Sequence, residues 1–326
     1  MSPKQYAQYN QLMFAKQLLH SSTMSISDIG LASGFNSVRR FNDAFQKILK
    51  LTPSDIRKGS NKKSVGNQLT IAFRPPFDWA HLLNFYRLRA VKGVEDVGEN
   101  HYQRTFTLGN TKGWFKASHT QKNTLAIEFE IDDITQLKML VTQIRRVFDL
   151  DADIAVIETH LSQTALNRLM TTGIRIPGVW NTWEAGVRAI LGQQISVKAA
   201  ITQLNTFVDT LGMHEHGDLY FPTPEVVANG ELSFLKMPQS RKDTVKRFAE
   251  YMVDHFEDHP SQWLAIKGIG PWTISYAKLR GLSEPNCFLA TDLVVKKVIA
   301  TFDDFDEKST SPWGSYATFH CWNSQS

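Results

Sequence analysis

The sequence predicts a multidomain α plus α/β protein, and three observations carry that expectation. Apolar residues recur at helical spacing up to about residue 60, alternate with a period of two between residues 69 and 131, and return to helical spacing from about Asp151 onward. The length of 326 residues, with 42% apolar and aromatic residues, supplies material for two or three cores. No apolar run approaches the roughly 20 residues that cross a bilayer. Residues 1–16 lack the basic start, apolar middle and small-residue cleavage site of a secretory signal. A cytoplasmic protein with no membrane partner is therefore expected.

In residues 1–63 ten Lys or Arg stand against three Asp, an excess of seven positive charges in a chain whose total is +4, which leaves residues 64–326 at −3. Such a basic segment suits nucleic acid, and a solvated basic helix would give the same balance. Within it, residues 25–46 read as a short helix, a turn at Gly34 and a second helix, which is helix-turn-helix spacing. Gly34 can take the positive φ of the turn, and Phe41 and Phe45, one turn apart, would bury one face of the second helix. Ser37, Arg39, Arg40 and Asp43 then fall on the open face, where arginines can meet guanine edges or phosphates. Thr52-Pro53-Ser54-Asp55 opens a further helix with an N-cap Thr, Pro at the first position and an acid three residues after the cap. The small polar residues that follow place a linker at 61–67, after a DNA-binding segment 1–60.

Leu69, Ile71 and Phe73, then Leu125, Ile127, Phe129 and Ile131, alternate with polar or small residues as half-buried strands do. Residues 102–108 and 114–117 are further strands around the Gly109-Asn110 and Lys112-Gly113 turn signals. Helices are expected at 79–89 and 136–148, giving an α/β domain over 68–155 with a small antiparallel sheet. Residues 156–326 are expected to be all helical. There Asn181-Thr182-Trp183-Glu184 resembles a capping box, and Glu184 and Arg188 form an i,i+4 pair.

Gly268 and Gly270 flank Ile269 between two helical stretches, a hairpin whose backbone N–H groups can face a phosphate. A lone Gly-x-Gly is more often a plain helix stop than a phosphate site. Asp292 opens an apolar helical run 22 residues after Gly270, and by itself it reads as an N-cap. Trp272 and Tyr276 are i,i+4 on one helix and share a face, which core packing alone would also explain. With Cys287 and Cys321 the only cysteines, no zinc site, iron-sulfur cluster or disulfide framework is expected, and no metal or cofactor.

Two resemblances add to this reading. Ser2-Pro-Lys-Gln-Tyr6, Ala15-Lys-Gln-Leu-Leu19, residues 26–45 and Thr52-Pro53 resemble the DNA-binding half of AraC-type transcription regulators, in which a long helix joins two helix-turn-helix units. The sequence starts at that joining helix, so only the second unit is expected, without tight stand-alone operator recognition. Gly268-Ile-Gly-Pro-Trp-Thr273 followed by Asp292 resembles the helix-hairpin-helix DNA glycosylase signature. Arg175-Ile-Pro-Gly178, residues 184–197, Pro312-Trp-Gly-Ser-Tyr316 and His320-Cys-Trp322 resemble the AlkA-type alkylpurine DNA glycosylases. Phe73-Arg-Pro-Pro-Phe-Asp-Trp79 and Phe148-Asp-Leu150 are similar to that group's N-terminal domain, whose antiparallel sheet with helices is TATA-binding-protein-like. Together the segments resemble fused Ada-type regulator and 3-methyladenine glycosylase proteins without the methyl-acceptor part. No cysteine precedes Cys287, so methyltransferase activity is not expected.

The resemblance implies that Asp292 is catalytic and that Trp272, Tyr276 and Trp322, with Gln193, receive an extruded base. Electron-rich rings attract bases that alkylation has made cationic, and such bases leave without a strong protein acid. Asp292 would stabilise positive charge on the sugar or orient water toward C1′, and both roles stay open. Gln194, where some relatives place Leu, would fill the gap left by the flipped base. Gly268, Ile269, Gly270 and Thr273 would grip the DNA backbone, with Ser37, Arg39 and Arg40 as further DNA contacts. Arg241, Lys242, Lys246 and Arg247 fit either a phosphate track or a solvated face. The expected protein is a monofunctional DNA-3-methyladenine glycosylase II-type hydrolase, a monomer acting on duplex DNA with alkylated bases, with promoter DNA as a second partner. Its rivals are a transcription regulator with a non-catalytic glycosylase-like body and a bifunctional glycosylase that also cuts the strand through a lysine.

Overall fold

A computed structural model describes residues 2–57, 67–120 and 122–324. The linker expected at 61–67 lies, apart from Asn67, outside the described residues. In chain order the helices and strands are α1 (Pro3–Ser21), α2 (Ile26–Ala32), α3 (Val38–Leu49), α4 (Pro53–Arg57), β1 (Asn67–Ala72), α5 (Trp79–Arg87), β2 (Glu95–Val97), β3 (His101–Leu108), β4 (Thr111–His119) and β5 (Thr124–Ile131). There follow α6 (Leu137–Val147), α7 (Ile154–Leu161), α8 (Thr182–Gly192), α9 (Val197–Leu211), β6 (Met213–Glu215), β7 (Asp218–Tyr220), α10 (Pro224–Asn229), α11 (Gln239–Asp254), α12 (Pro271–Gly281), α13 (Leu293–Ile299) and α14 (Gly314–Asn323).

Packing divides the chain into two units, residues 1–73 with 101–144, and residues 74–100 with 145–326. Boundaries drawn along the sequence at 60, 68 and 155 do not follow this division, because the chain leaves the first unit at residue 74, returns at 101 and leaves again at 145. Strand pairing draws 101–131 beside β1, whereas α5 packs within the second unit. There Trp79 meets Phe148 edge to face at 5.4 Å, and the Tyr86 hydroxyl donates to the carbonyls of Val147 and Gly178 at 2.8 Å each.

In the first unit β1, β5, β4 and β3 are antiparallel neighbours in that order, with Leu69 opposite Ile127 and Phe115 opposite Phe129. The alternation read from the sequence is the burial pattern observed, since Leu69, Ile71, Leu125, Ile127 and Phe129 are all buried. The preceding helices form as their sequence dictates. Gly34 turns the chain at φ +83°, and Phe41 and Phe45 are fully buried with ring centroids 5.2 Å apart. Thr52 and Asp55 exchange hydrogen bonds at 3.2 Å each to cap α4. This segment is fastened to the sheet. Thr23 N donates to the Gln68 carbonyl at 3.0 Å, Gln68 N donates to Thr23 Oγ1 at 3.2 Å, and Ser22 bridges Leu69.

The second unit holds two apolar cores. One is built around Trp183, Phe248 and Trp263 from α8, α11 and the turn at 260–265, and the other around residues of α7, α13 and α14. Helix α12 belongs to both: Ile274 and Ala277 enter the first core and Leu279 the second. On α8 the buried Arg188 donates to Glu95 at 2.6 Å and to Glu184 at 2.7 Å. Burial pulls its pKa down, and these two carboxylates raise it above the ordinary arginine value. Glu184 thus serves Arg188, while Asn181 caps α8 by accepting from Glu184 N at 2.8 Å. The expectation of an all-helical region is corrected by the β6–β7 hairpin. His216 and Gly217 carry φ of 52° and 93°, the two left-handed positions of a two-residue hairpin turn, and a histidine in the first hid that turn from the sequence.

Candidate active site

The glycine hairpin starts the site. Gly268 has φ +100°, and a Cβ there would stand 2.0 Å from Thr244 Oγ1, so only glycine fits between the turn and α11. Arg247 Nε donates to the Lys267 carbonyl at 3.2 Å and ties the same helix to the hairpin. A Cβ on Gly270 would meet nothing within 4 Å, and no side chain caps α12 behind it. The first turn of α12 is therefore open to an approaching anion.

Along α12 the residues Trp272, Tyr276 and Arg280 follow at i, i+4 and i+8 on one face. The Trp272 and Tyr276 rings stack, with centroids 5.3 Å apart and planes 27° apart. On the other side Trp322 of α14 lies nearly parallel to Phe85 of α5, at 6.3 Å and 21°. Asp292 joins the two pairs. Its Oδ2 accepts from Trp272 Nε1 at 3.3 Å, and its Oδ1 accepts from Trp322 Nε1 at 3.1 Å and from the backbone N–H groups of Val294 and Val295 at 3.0 and 3.2 Å. The carboxylate is thus an N-cap and the common partner of two tryptophans, and four donors fix its direction. Trp272, Tyr276, Asp292 and Trp322 are half-buried.

At the other end of the pairs sits a guanidinium. Arg280 Nη1 donates to the Tyr276 hydroxyl at 3.1 Å, and Cζ lies 4.8 Å from the centroid of Phe85. Arg89 Cζ lies 3.8 Å from the same ring, and its pKa is drawn down to about 10 by burial and then by the charge of Arg280. Burial and the charge of Asp292 push the Cys321 thiol up to about 12, so it remains a neutral thiol and not a nucleophile.

The other sequence candidates fall in place unevenly. The Gln193 amide donates to the Gly268 carbonyl at 3.3 Å and to Thr273 Oγ1 at 3.2 Å, so it props the hairpin; Thr273 is buried. Gln194 is exposed with φ +58°, a tip conformation costly for a side chain with Cβ. The Ile269 side chain is buried in the core, which leaves only its backbone to face a ligand. Lys242 and Lys246 donate to the carbonyls of Ser233 and Gly230 at 3.1 and 2.6 Å, so with Arg247 they are partly engaged within the protein. In the first unit, Ser37 Oγ caps α3 by accepting from Arg40 N at 3.3 Å, while Arg39 and Arg40 are exposed. The sequence reading missed Phe85 and Arg280. Phe85 lies on a helix it assigned to another domain, and Arg280 was signalled only by its spacing of four and eight from the two aromatics.

Among the described residues no helix is long and apolar enough to cross a membrane, and no group of three or more His, Cys, Asp or Glu could hold a metal ion.

Residues 68–181 match the family described as AlkA N-terminal domain, and residues 1–59 match the helix-turn-helix domain family. A probable bifunctional transcriptional activator/DNA repair enzyme AlkA of Mycobacterium tuberculosis is 28% identical over 98% of this chain and 71% of its own length. DNA-3-methyladenine glycosylase 2 of Escherichia coli is 30% identical over 78% of this chain and 96% of its own length. Among solved structures, a 3-methyladenine DNA glycosylase from Archaeoglobus fulgidus superposes with a TM-score of 0.65 at 17% identity, covering 78% of this chain and 96% of that one, a likeness of fold. The expectation of a monofunctional enzyme is corrected by the mycobacterial relative: a protein matched along nearly the whole chain, helix-turn-helix included, is named for two functions.

Proposed function

The chain belongs to the AlkA-type DNA-3-methyladenine glycosylases, base-excision repair enzymes for alkylated DNA, and from that premise we propose that Asp292 and its aromatic partners release alkylated bases such as 3-methyladenine and 7-methylguanine from duplex DNA. The observation that carries this is the shared carboxylate, which receives N–H groups from Trp272 and Trp322 at 3.3 and 3.1 Å. Oriented by four donors before substrate arrives, it costs little reorganisation when positive charge develops on the sugar. The base, turned out of the duplex, stacks on the half-buried rings. The electron pair of the bond to C1′ passes to the base, a water oxygen adds to C1′, and that water gives a proton to solvent. A cationic base departs neutral, so no protein acid is required at this step.

The DNA backbone docks on the open turn at Gly268 to Gly270, and Gln194 enters the space the base vacates. The enzyme acts as a monomer in the cytoplasm, and the sheet of its first unit is TATA-binding-protein-like. The exposed Arg39 and Arg40 favour a second role, contact with promoter DNA by α3. The test is incubation of the protein with methylated duplex DNA and identification of the released bases by mass spectrometry. Release of 3-methyladenine and 7-methylguanine is expected, and the absence of any released base after prolonged incubation would overturn the reading.

A further inference from the structure

We infer that Arg280 is a specificity-determining residue, a fixed positive charge at the end of the aromatic cage opposite Asp292 that promotes release of bases which must leave as anions. This rests on the glycosylase reading above. The order of groups is the same along both stacked pairs. Asp292 bonds Trp272 and Trp322, their partners are Tyr276 and Phe85, and beyond those stands Arg280, hydrogen-bonded to the Tyr276 hydroxyl at 3.1 Å and 4.8 Å from the Phe85 centroid. Eight residues of helix separate Trp272 from Arg280, about 12 Å of rise. The site therefore carries an anion at one end and a cation at the other, with four aromatic rings between them.

The charge is not cancelled where it stands. Arg188 nearby is matched by Glu95 and Glu184, but among the described residues Arg280 has no carboxylate in salt-bridge contact. It is 1% exposed, its Nε is used on the Pro177 carbonyl, and its Nη2 has no hydrogen-bond partner among the described residues. Arg89, against the other ring, adds to the same sign of field. When the bond to C1′ breaks, its electron pair moves onto the base, away from Asp292 and toward Arg280. An alkylated cation becomes neutral, while a neutral lesion base becomes an anion; in both cases water adds to C1′ and its proton goes to solvent. A buried cation stabilises the anion far more than the neutral product, and it weakens the attraction of the rings for a cationic ground state. Arg280 thus widens the range from cationic lesions toward neutral ones.

The experiment compares single-turnover release of 7-methylguanine, a cation, and hypoxanthine, a neutral base, from otherwise identical duplexes. Wild type is expected to release both. Arg280→Gln should lower the ratio of hypoxanthine to 7-methylguanine release by about tenfold or more, and Arg280→Lys, which keeps the charge, should hold it within about threefold of wild type. Equal loss on both bases, a Lys variant as poor as Gln, or a wild type that releases 7-methylguanine and no hypoxanthine would overturn the inference. Wild type that releases neither base would instead sink the glycosylase reading. Because Arg280 also holds the Pro177 carbonyl, Arg280→Gln could melt below the assay temperature. Both variants are then compared with wild type below that melting temperature, where a ratio lowered in Arg280→Gln and kept in Arg280→Lys supports the inference and a ratio unchanged in Arg280→Gln ends it.

Discussion

The open face of α3 and the aromatic face of α12 both present arginines, and they hold them in opposite ways. The Arg39 side chain is 92% exposed and has Asp43 only at 4.0 Å, while Arg280 is 1% exposed and bonded to Tyr276 and Pro177. A charge that attracts a polyanion can act through water from many rotamers, so nothing need fix it beforehand. A charge that acts on one breaking bond must be in place before the substrate arrives, because ordering it at that moment adds to the barrier. The two regions accordingly differ in what a substitution should change.

The largest effect belongs to the held region. Asp292→Asn keeps an acceptor for Val294 and Val295 but turns an N–H toward an indole N–H and removes the charge. Single-turnover release of 3-methyladenine should fall by roughly two orders of magnitude or more, with melting lowered by only a few degrees. Near-wild-type release would reduce Asp292 to a helix cap and erase the contrast with Ser37, which caps α3.

The hairpin offers a paired test. Gly268→Ala must push against Thr244 and hold alanine at φ +100°, whereas Gly270→Ala meets open space. The first should weaken binding to abasic-site duplex by about tenfold or more and lower the melting temperature. The second should leave melting unchanged and affect binding alone. Equal melting for the two variants would show that the turn is not held as described.

A smaller effect is read by pH and lies within the second unit, which carries α12. Asp149 is buried, accepts from Tyr316 Oη at 2.8 Å and Ile176 N at 3.2 Å, and burial lifts its pKa from 3.8 to about 7. The folded protein keeps a proton there that the unfolded chain gives up, so this contribution weakens folding as pH rises from about 4 to about 7. His320 has the opposite sign: burial, then the charge of His81, lowers its pKa from 6.5 to about 4, so folding weakens as pH falls through that range. The two slopes oppose each other between about 4 and 6.5. In thermal unfolding across this range, Asp149→Asn should make stability rise more steeply with pH than in wild type, and His320→Gln should turn the slope the other way. Parallel profiles for all three proteins would remove both groups from the account.

The smallest effect lies on α3. Replacing Arg39 and Arg40 together by Ala should lower the slope of log affinity against log salt by about 2 and leave release at saturating DNA unchanged. A loss of turnover there would mean that the loosely held region takes part in chemistry.

The sequence made visible those parts whose periodicity or motif is local. Phe41 and Phe45 marked a buried helix face, the alternation of Leu125, Ile127 and Phe129 marked a strand, and the residues around Gly268 and Asp292 pointed to the site. What it hid depends on which distant segments meet. Phe85 stacks on Trp322 from 237 positions away, and nothing local to either shows it. Arg280 looks like one more helical arginine until the Tyr276 hydroxyl and the Phe85 ring are placed beside it. Ile269 sat in a turn that reads as exposed, yet its side chain completes the core, because the tight hairpin turns its backbone outward.

The fastening of residues 22 and 23 to β1 has a bearing on solubility. β1 pairs with β5 along one side, and the backbone of Thr23 occupies part of its other side at Gln68. An unpaired strand edge is a template for the strand of a neighbouring molecule. The segment that carries α3 therefore also shields the sheet from self-association, and a shortened chain starting after residue 57 would be prone to aggregate even where its chemistry survived. Point substitutions on α3 are for that reason a cleaner probe of DNA reading than removal of the segment.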